Sequence, residues 1–476
     1  MNLIGRKTEI EILDRLSKSD RQELLVLYGR RRIGKTFLIR QHFKGQITFD
    51  FVGSNKESSA IQLANFNRAF EDQCTDTYGW ANNWSEAFNN LAKYIKAQPY
   101  DKGKVIIFFD EFPWMDKPKS GFLSAFEYFW NQYGSAFPNL LFIVCGSVSS
   151  WIIKNLLKNY GGLHNRVTQT LSILPFTLLE VEEFMRAKNL KFTRSQIARI
   201  YLALGGVPYY LDMIPSSMSV TQVFDSLFFD KNALLRKEFN NLYASLFKNP
   251  SNYIAVIRVL ADAYYGLSVS EIISKTGMKA GGTPHRVLSQ LEEGGFIKKI
   301  VFYGKSNRDA LYRLVDFYSL FYLRFVQKMQ DNHIQSWSTA HESSSYRIWC
   351  GYAFENLYLL HFPQLLKSLG ISGVQCSLSS WRVSANENTS GTQIDMIIDR
   401  KDGVIHLCEV KFNENPLIIS KDLANTWAAR RAIFAFHNPT QKVVVTSIFT
   451  LSPALENEYF KQEVYSSMDL DGLFVS

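Results

Sequence analysis

The feature that most constrains this chain is a glycine-containing loop between an apolar run and a segment of helical character. The loop reads Gly29-x-x-x-x-Gly34-Lys35-Thr36, follows residues 24–28 and precedes residues 37–40. Glycines in this order let backbone N–H groups curl around a phosphate, and the N-terminus of the following helix favours negative charge. Lys35 would then reach the β- and γ-phosphates, and the hydroxyl of Thr36 would ligate Mg²⁺. The pattern predicts a nucleotide site formed by Gly29, Arg30, Arg31, Arg32, Ile33, Gly34, Lys35, Thr36 and Phe37.

Length and composition favour a large globular protein. The chain has 476 residues, 46% of them hydrophobic, which is enough for about three domains with sizeable cores. A formal net charge of +9 suits an anionic partner but does not establish nucleic-acid binding. The five cysteines are widely spaced, so they predict buried thiols in a reducing cytoplasm and neither disulfides nor a zinc site. No signal peptide or long apolar run is visible, and we therefore expect a cytoplasmic protein with no membrane span.

The first third of the chain alternates strand-like and helix-like segments. Helical spacing is found at residues 58–70 and 122–133, and β-rich apolar runs occupy residues 23–28, 47–52, 104–109, 140–145 and 166–173. This alternation predicts an α/β fold with a parallel sheet flanked by helices. Helical segments then dominate to about residue 249.

Acidic and hydroxyl side chains follow two of these predicted strands. Asp110 and Glu111 end an apolar run typical of a buried central strand, at the edge where an α/β sheet holds its ligands. Asp110 would hold Mg²⁺ through its water shell, and Glu111 would polarise the water that attacks the γ-phosphate. Ser147 could sense the γ-phosphate or cap a turn. Arg166 is either a surface arginine or an arginine finger acting from a neighbouring subunit, so a homo-oligomer remains open.

Several motifs in the first 250 residues resemble those of archaeal-type prokaryotic AAA+ and STAND-like P-loop ATPases. The segment with Gly5, Arg6 and Glu9 resembles their hhGRxxE motif, and the loop and the acidic pair are similar to Walker A and Walker B. Gly206-x-Pro208 resembles their GxP motif. The resemblance implies an ATPase core at residues 1–175, a helical lid at 176–249, and a shape change driven by ATP. It also implies that Gly5 and Arg6 lie near the base and ribose, and that Pro208 approaches the nucleotide from the lid.

Residues 250–330 have the order of a winged helix-turn-helix. Helical segments at 253–265, 270–276 and 283–293 precede strand-like pieces at 296–302 and 310–314. The third helix could present Arg286, Ser289 and Gln290 to DNA bases, and the tip between the strands could contact phosphates through Lys305, Asn307 and Arg308. The mild charge of the segment favours a structural or regulatory use. Residues 331–345 are polar and serine-rich and predict a linker.

The last part of the chain carries a second chemical signal. Gln393-x-Asp395 and Glu409-x-Lys411 lie in apolar, β-branched runs that predict a hairpin turning at residues 401–403. Period-two alternation puts Glu409 and Lys411 on one face, and upstream Glu355 interrupts a largely apolar helix. Converging acids with a lysine could hold one or two Mg²⁺ ions and cleave a phosphodiester. Each pair alone is more typical of a surface ion pair.

Together, these residues resemble the PD-(D/E)xK nuclease fold, with Ile394 in place of the proline of the motif. The resemblance implies an α/β restriction-endonuclease-like domain at residues 346–476, with metal ligands Glu355, Asp395 and Glu409 and catalytic Asp395, Glu409 and Lys411. The complete prediction is an ATPase, with Lys35 and Glu111 catalytic, whose nucleotide state controls a Mg²⁺-dependent nuclease acting on nucleic acid, with DNA the expected form. The alternative is an ATPase switch or a DNA-binding regulator whose C-terminal domain does not cleave.

Overall fold

The computed structural model describes residues 3–74, 78–99, 103–158, 162–163, 165–247, 249–328, 336–340, 343–384 and 391–476. The chain divides into two compact units, Met1–Pro175 and Phe176–Ser476. Residues 331–335 and 341–342 of the predicted linker lie outside the described ranges, and so does the Asn307 side chain. Within those ranges, no helix has the length and apolar content needed to cross a membrane.

The first unit is built on a parallel five-stranded sheet with the order β2-β3-β4-β1-β5. Its strands are β1 (Glu23–Tyr28), β2 (Ile47–Val52), β3 (Val105–Asp110), β4 (Leu140–Gly146) and β5 (Gln169–Ser172). The first, third and fourth are apolar at nearly every position and almost entirely buried, as expected for strands covered on both faces. The predicted α/β class with a parallel sheet is thereby confirmed. Because all strands are parallel, the loops after their carboxyl ends meet at one edge.

Helices surround this sheet, and one of them was not predicted. They are α1 (Lys7–Ser17), α2 (Lys35–His42), α3 (Ser59–Gln73), α4 (Trp84–Ala97), α5 (Phe122–Gln132) and α6 (Ser149–Ile152). The missed helix is α4, although its sequence carries a helix signal. Asn83 caps it by accepting a hydrogen bond from the Glu86 N–H, and buried apolar residues recur every three or four positions from Trp84 to Ile95.

The second unit begins with helices and continues into a short antiparallel hairpin. The helices are α7 (Leu178–Ala187), α8 (Arg194–Leu204), α9 (Pro208–Asp212), α10 (Val220–Phe224), α11 (Leu234–Leu246), α12 (Pro250–Ala261), α13 (Val269–Thr276) and α14 (Gly282–Glu293). The hairpin strands are β6 (Ile297–Ile300) and β7 (Leu311–Leu314). We refer to α12–α14 with this hairpin as the middle module.

A mixed five-stranded sheet organises the rest of the second unit, in the order β14-β12-β10-β9-β8. Its strands are β8 (Cys376–Val383), β9 (Thr392–Arg400), β10 (Val404–Lys411), β12 (Val443–Thr450) and β14 (Val464–Met468), and the two-residue strands β11 (Leu417–Ile418) and β13 (Ala454–Leu455) pair separately. The remaining helices are α15 (Phe317–Phe321), α16 (Ser344–Leu360), α17 (Phe362–Ser368), α18 (Lys421–His437) and α19 (Glu458–Glu463).

The hairpin of the middle module is tied to the edge of this mixed sheet. The Tyr303 N–H donates to the Ser380 carbonyl at 2.7 Å, and the Ser380 N–H donates to the Val301 carbonyl at 3.2 Å. The Tyr303 ring also packs against Phe434, with the ring centroids 5.1 Å apart. These contacts give the middle module a structural use in the second unit, while the Lys305 and Arg308 side chains remain exposed.

A buried histidine joins two helical segments of the second unit. The Leu178 N–H, at the start of α7, donates to Nε2 of His361 at 3.0 Å. Since Nε2 accepts, Nδ1 carries the proton and donates to the Leu357 carbonyl at 3.0 Å. His361 therefore satisfies one of the N–H groups that a helix leaves unpaired at its start, and its burial lowers its pKa to about 4.

This histidine predicts a pH-dependent stability. The folded-state pKa lies below the ordinary value of 6.5, so the unfolded chain binds a proton that the folded chain does not. The free energy of unfolding should therefore fall by up to about 3 kcal/mol as the pH drops through this window. His361→Gln keeps one donor and one acceptor but cannot titrate, and its urea midpoint should change less between pH 7 and pH 4.5. The exposed His285→Gln is the matched control, and equal pH dependence in wild type and His361→Gln would refute the assignment.

Candidate functional site

The predicted phosphate loop connects β1 to α2 and has the conformation that its glycines permit. The backbone φ is positive at Gly29 (150°), Arg32 (72°) and Gly34 (84°), a region that residues with a Cβ rarely adopt. A Cβ at Gly29 would lie 2.3 Å from the Ile173 carbonyl oxygen, so only glycine fits there. A Cβ at Gly34 would meet no atom within 4 Å. The loop therefore has open space beside Gly34, which a phosphate could occupy.

Lys35 and Thr36 open helix α2 and turn their polar atoms onto this edge of the sheet. The buried Lys35 Nζ donates to the carbonyls of Gly29, at 3.0 Å, and Arg30, at 2.9 Å. The Thr36 hydroxyl donates to Oδ2 of Asp110 at 2.7 Å. A hydroxyl and a carboxylate oxygen therefore converge beside the loop, and such oxygen ligands suit Mg²⁺. The open loop and this donor pair fit a magnesium-bound nucleoside triphosphate.

Glu111 is held beside these groups by the next strand of the sheet. Strand β4 lies between β1 and β3, so Ser147 at its end reaches the acid that follows β3. The Ser147 hydroxyl donates to Oε2 of Glu111 at 2.8 Å, and its N–H donates to the same oxygen at 3.2 Å. Burial raises the pKa of Glu111, while the Lys35 charge and the Ser147 hydrogen bonds oppose the rise. Ser147 thus positions Glu111, a role that neither sequence interpretation contained; its contact with γ-phosphate stays a prediction.

Other predicted nucleotide contacts are placed with varying directness. Arg6 is buried behind the loop, where its Nη2 donates to the Ile33 carbonyl at 3.2 Å. Gly5 precedes it with a φ of 66°. Ile33 is buried in the core, so its side chain faces away from solvent, whereas Phe37 is exposed. The base and ribose role of Gly5 and Arg6 stays a prediction, and so does a finger role for the exposed Arg166.

Pro208 belongs to the second unit, where it is the first residue of α9. The neighbouring Gly206 has a packing reason of its own. Its carbonyl accepts a hydrogen bond from the Phe176 N–H, and a Cβ there would lie 1.9 Å from the Phe176 carbonyl oxygen. The glycine of the predicted GxP motif is therefore required by the fold, and the nucleotide contact of Pro208 stays a prediction.

The predicted C-terminal residues line one cleft of about 470 Å³ in the second unit. Glu355 projects from α16, Asp395 from β9, and Glu409 and Lys411 from β10. Strands β9 and β10 are antiparallel, with Cys408 opposite Met396. The next residues along this register, Glu409 and Asp395, therefore lie close across the two strands.

Arginines hold two of the three acids in this cleft. Arg313 Nη2 donates to Glu355 Oε2 at 2.9 Å, and Arg430 Nη1 donates to Glu409 Oε1. Lys411 Nζ lies 3.4 Å from the other oxygen of Glu409. Burial raises the pKa of Glu355 to about 7, with Arg313 opposing the rise. Burial also raises the pKa of Asp395, with Gln393 opposing the rise and the Glu409 charge adding to it.

This arrangement does not fit a metal held by all three predicted ligands. Nowhere in the described ranges do three acidic, histidine or cysteine side chains converge closely enough to hold an ion. Glu355, Asp395 and Glu409 share the cleft, but a guanidinium competes with any cation for the first and the third. The joint metal role of these three residues therefore stays a prediction without support from their geometry.

Sequence reasoning missed the residues that reach this cleft from other elements. Tyr265 and Arg313 come from the middle module, Arg347 from α16 and Arg430 from α18. Only Arg313 left a signal. It is the charged residue of a strand buried at every position, and a buried charge requires a partner.

Comparison with known proteins agrees with the geometry of the phosphate loop. An uncharacterized protein of Methanocaldococcus jannaschii is 26% identical over 326 residues, 68% of this chain and 68% of that protein. An uncharacterized ATP-binding protein of the same organism is 42% identical over 43 residues, 9% of this chain and 73% of that protein.

Two solved structures are similar at low identity. The Walker-type ATPase of Pyrococcus abyssi has 18% identity and a TM-score of 0.48, covering 68% of this chain and 96% of that one. The Aeropyrum pernix ORC2 protein, in ADPNP and ADP complexes, has 13% identity and a TM-score of 0.45, covering 70% and 96%. Similarity at this level says nothing about substrates or partners.

A family model matches the part of the chain that carries the loop, the acidic pair and Pro208. That model is described as an ATPase domain predominantly from Archaea, and it matches residues 3–214. Residues 3–214 of this chain therefore belong to the family of ATPase domains found predominantly in Archaea.

Proposed function

We propose that Lys35, Thr36, Asp110 and Glu111 carry out ATP hydrolysis in this ATPase domain. The observation that carries the proposal is the pair of contacts Thr36–Asp110 and Ser147–Glu111 at the edge of the sheet where the loop opens. Phosphoryl transfer to water needs positioning and charge stabilisation with little covalent chemistry. These four side chains supply both.

Each residue has a distinct task in this proposal. The Lys35 ammonium exchanges the carbonyls of Gly29 and Arg30 for phosphate oxygens, since both offer it similar acceptors. Thr36 and Asp110 would hold Mg²⁺, which supplies charge neutralisation at the phosphates. Glu111 accepts a proton from the attacking water, and Ser147 keeps its carboxylate pointed at that position.

Glu111→Gln tests this assignment. The amide keeps the size of the side chain but cannot accept the proton, so phosphate release should fall by roughly 100-fold or more. Affinity for a fluorescent ATP analogue should stay within a few-fold of wild type, because Lys35 and the loop are intact. Glu127→Gln, in the same unit, is the matched control. Phosphate release at the wild-type rate by Glu111→Gln would remove Glu111 from the reaction.

We also propose that the second unit acts on nucleic acid under the control of the nucleotide. The support is the cleft in which Asp395, Glu409 and Lys411 lie together, with arginines lining it. In this proposal α12–α14 and the β6–β7 hairpin form a winged helix that serves a structural role and lends Arg313 to the cleft. The competing function is a nucleic-acid-binding regulator that does not cleave, which the arginine pairing of Glu355 and Glu409 favours.

Lys411→Ala separates these two functions. If the cleft cleaves, the variant should lose at least about 100-fold of the rate at which wild type degrades labelled DNA with Mg²⁺ and ATP, because a charge at the reacting phosphate is gone. Lys421→Ala, at the start of α18, is the control for loss of a lysine. An EDTA arm tests the need for a divalent ion. Cleavage by wild type that Lys411→Ala retains in full would place the activity elsewhere.

A further inference from the structure

One face of helix α16 forms a wall of the cleft and has an unusual glycine at its centre. Arg347, Gly351 and Glu355 are spaced by four residues, so they lie one above the other on that face. Glycine is unfavourable inside a helix, and a Cβ at Gly351 would meet no atom within 4 Å. Packing therefore does not require glycine here. A helix surface without side chains between a cation and an acid lets another backbone approach closely.

An exposed tyrosine lies at the same cleft and is held by other aromatic rings. Tyr265 is 43% exposed, and its hydroxyl lies 3.3 Å from that of Tyr352. The Tyr352 ring stacks on Tyr264, with centroids 3.9 Å apart and planes 2° from parallel. Tyr265 meets Tyr352 edge-on at 5.5 Å. Its ring therefore has a fixed position with one side open, which is the arrangement on which unpaired bases stack.

Cations around this tyrosine favour an anionic ligand. Arg313, Arg347, Lys411 and Arg430 line the cleft, against Glu355, Asp395 and Glu409. Arg313 is 5% exposed, and its Nε has no hydrogen-bond partner among the described residues. Arg347 is exposed at the rim. A phosphate oxygen is an acceptor suited to such guanidinium groups.

We propose that this cleft binds a single-stranded segment or an unpaired end of nucleic acid. One base stacks on Tyr265, the sugar-phosphate backbone passes over Gly351, and a phosphate is bound by Arg347. The cleft volume of about 470 Å³ is that of a small-molecule pocket, which holds one or two nucleotides and excludes a second strand. The inference rests on the proposed action on nucleic acid and adds the form of the substrate and the residues that select it.

The test is a binding measurement that does not depend on cleavage. Fluorescence anisotropy of a labelled single-stranded oligonucleotide and of the same sequence as a blunt duplex is followed with the full chain in EDTA. Wild type should bind the single strand more tightly. Tyr265→Ala should weaken single-strand binding by about 5- to 100-fold, since one stacked base is lost, and leave duplex binding unchanged. Tyr265→Phe keeps the ring and should bind like wild type.

Matched variants locate the binding. Tyr465→Ala removes an exposed tyrosine of the same unit, outside the cleft, and should have no effect. Gly351→Ala should weaken binding while the melting temperature stays equal or rises, which a folding defect could not produce. Arg308→Ala, at the hairpin tip, should bind like wild type; if it alone loses binding, the hairpin and not the cleft is the site, and the inference is wrong.

The outcomes separate this inference from the proposed function. Equal binding of both forms, unaffected by Tyr265→Ala, overturns the single-strand inference and leaves the action on nucleic acid standing. Failure of wild type to bind either form overturns both.

Discussion

The hydrogen bond between Thr36 and Asp110 is the interaction on which the nucleotide site depends. It joins the helix after β1 to the end of β3, two strands separated in the sheet by β4. The bond forms because parallel strands bring their carboxyl ends to one edge, and because Gly29 and Gly34 let the loop turn sharply into α2. Ser147, at the end of the intervening strand, then orders Glu111. Hydroxyl, carboxylate and general base are thus positioned by the sheet before any ligand arrives, which is how electrostatic preorganisation is achieved.

The first unit was largely predictable because its signals are local. The strands β1 and β2 begin and end at the predicted residues, and the α/β class follows from the alternation of runs. The loop residues follow from a motif with a physical reason at each position. What the sequence could not show is that Ser147 contacts Glu111, since that contact depends on β4 lying between its neighbours. Helix α4 was overlooked although Asn83 and the apolar repeat marked it.

The second unit was less predictable because its cleft is assembled from distant segments. The hairpin with Asp395 and Glu409 was expected from its β-branched runs, and it forms. The guanidinium groups on Glu355 and Glu409 come from β7 and α18, and no spacing rule connects them to their partners. These ion pairs change the chemistry of the cleft, because a carboxylate paired with arginine is a poorer metal ligand than a free one. They also make the cleft more cationic, which suits a phosphate backbone.

The central claim is that the nucleotide in the ATPase domain and the ligand in the cleft affect each other. Such coupling is reciprocal, so a nucleotide that changes the affinity for an oligonucleotide must have its own affinity changed by the same factor. The most direct measurement is the Kd of a non-hydrolysable fluorescent ATP analogue for the full chain, with and without a saturating single-stranded oligonucleotide. The account predicts a change of about 5-fold or more, and its loss in Tyr265→Ala at the same oligonucleotide concentration. An identical Kd in both conditions, with the oligonucleotide shown to be bound, would contradict the claim.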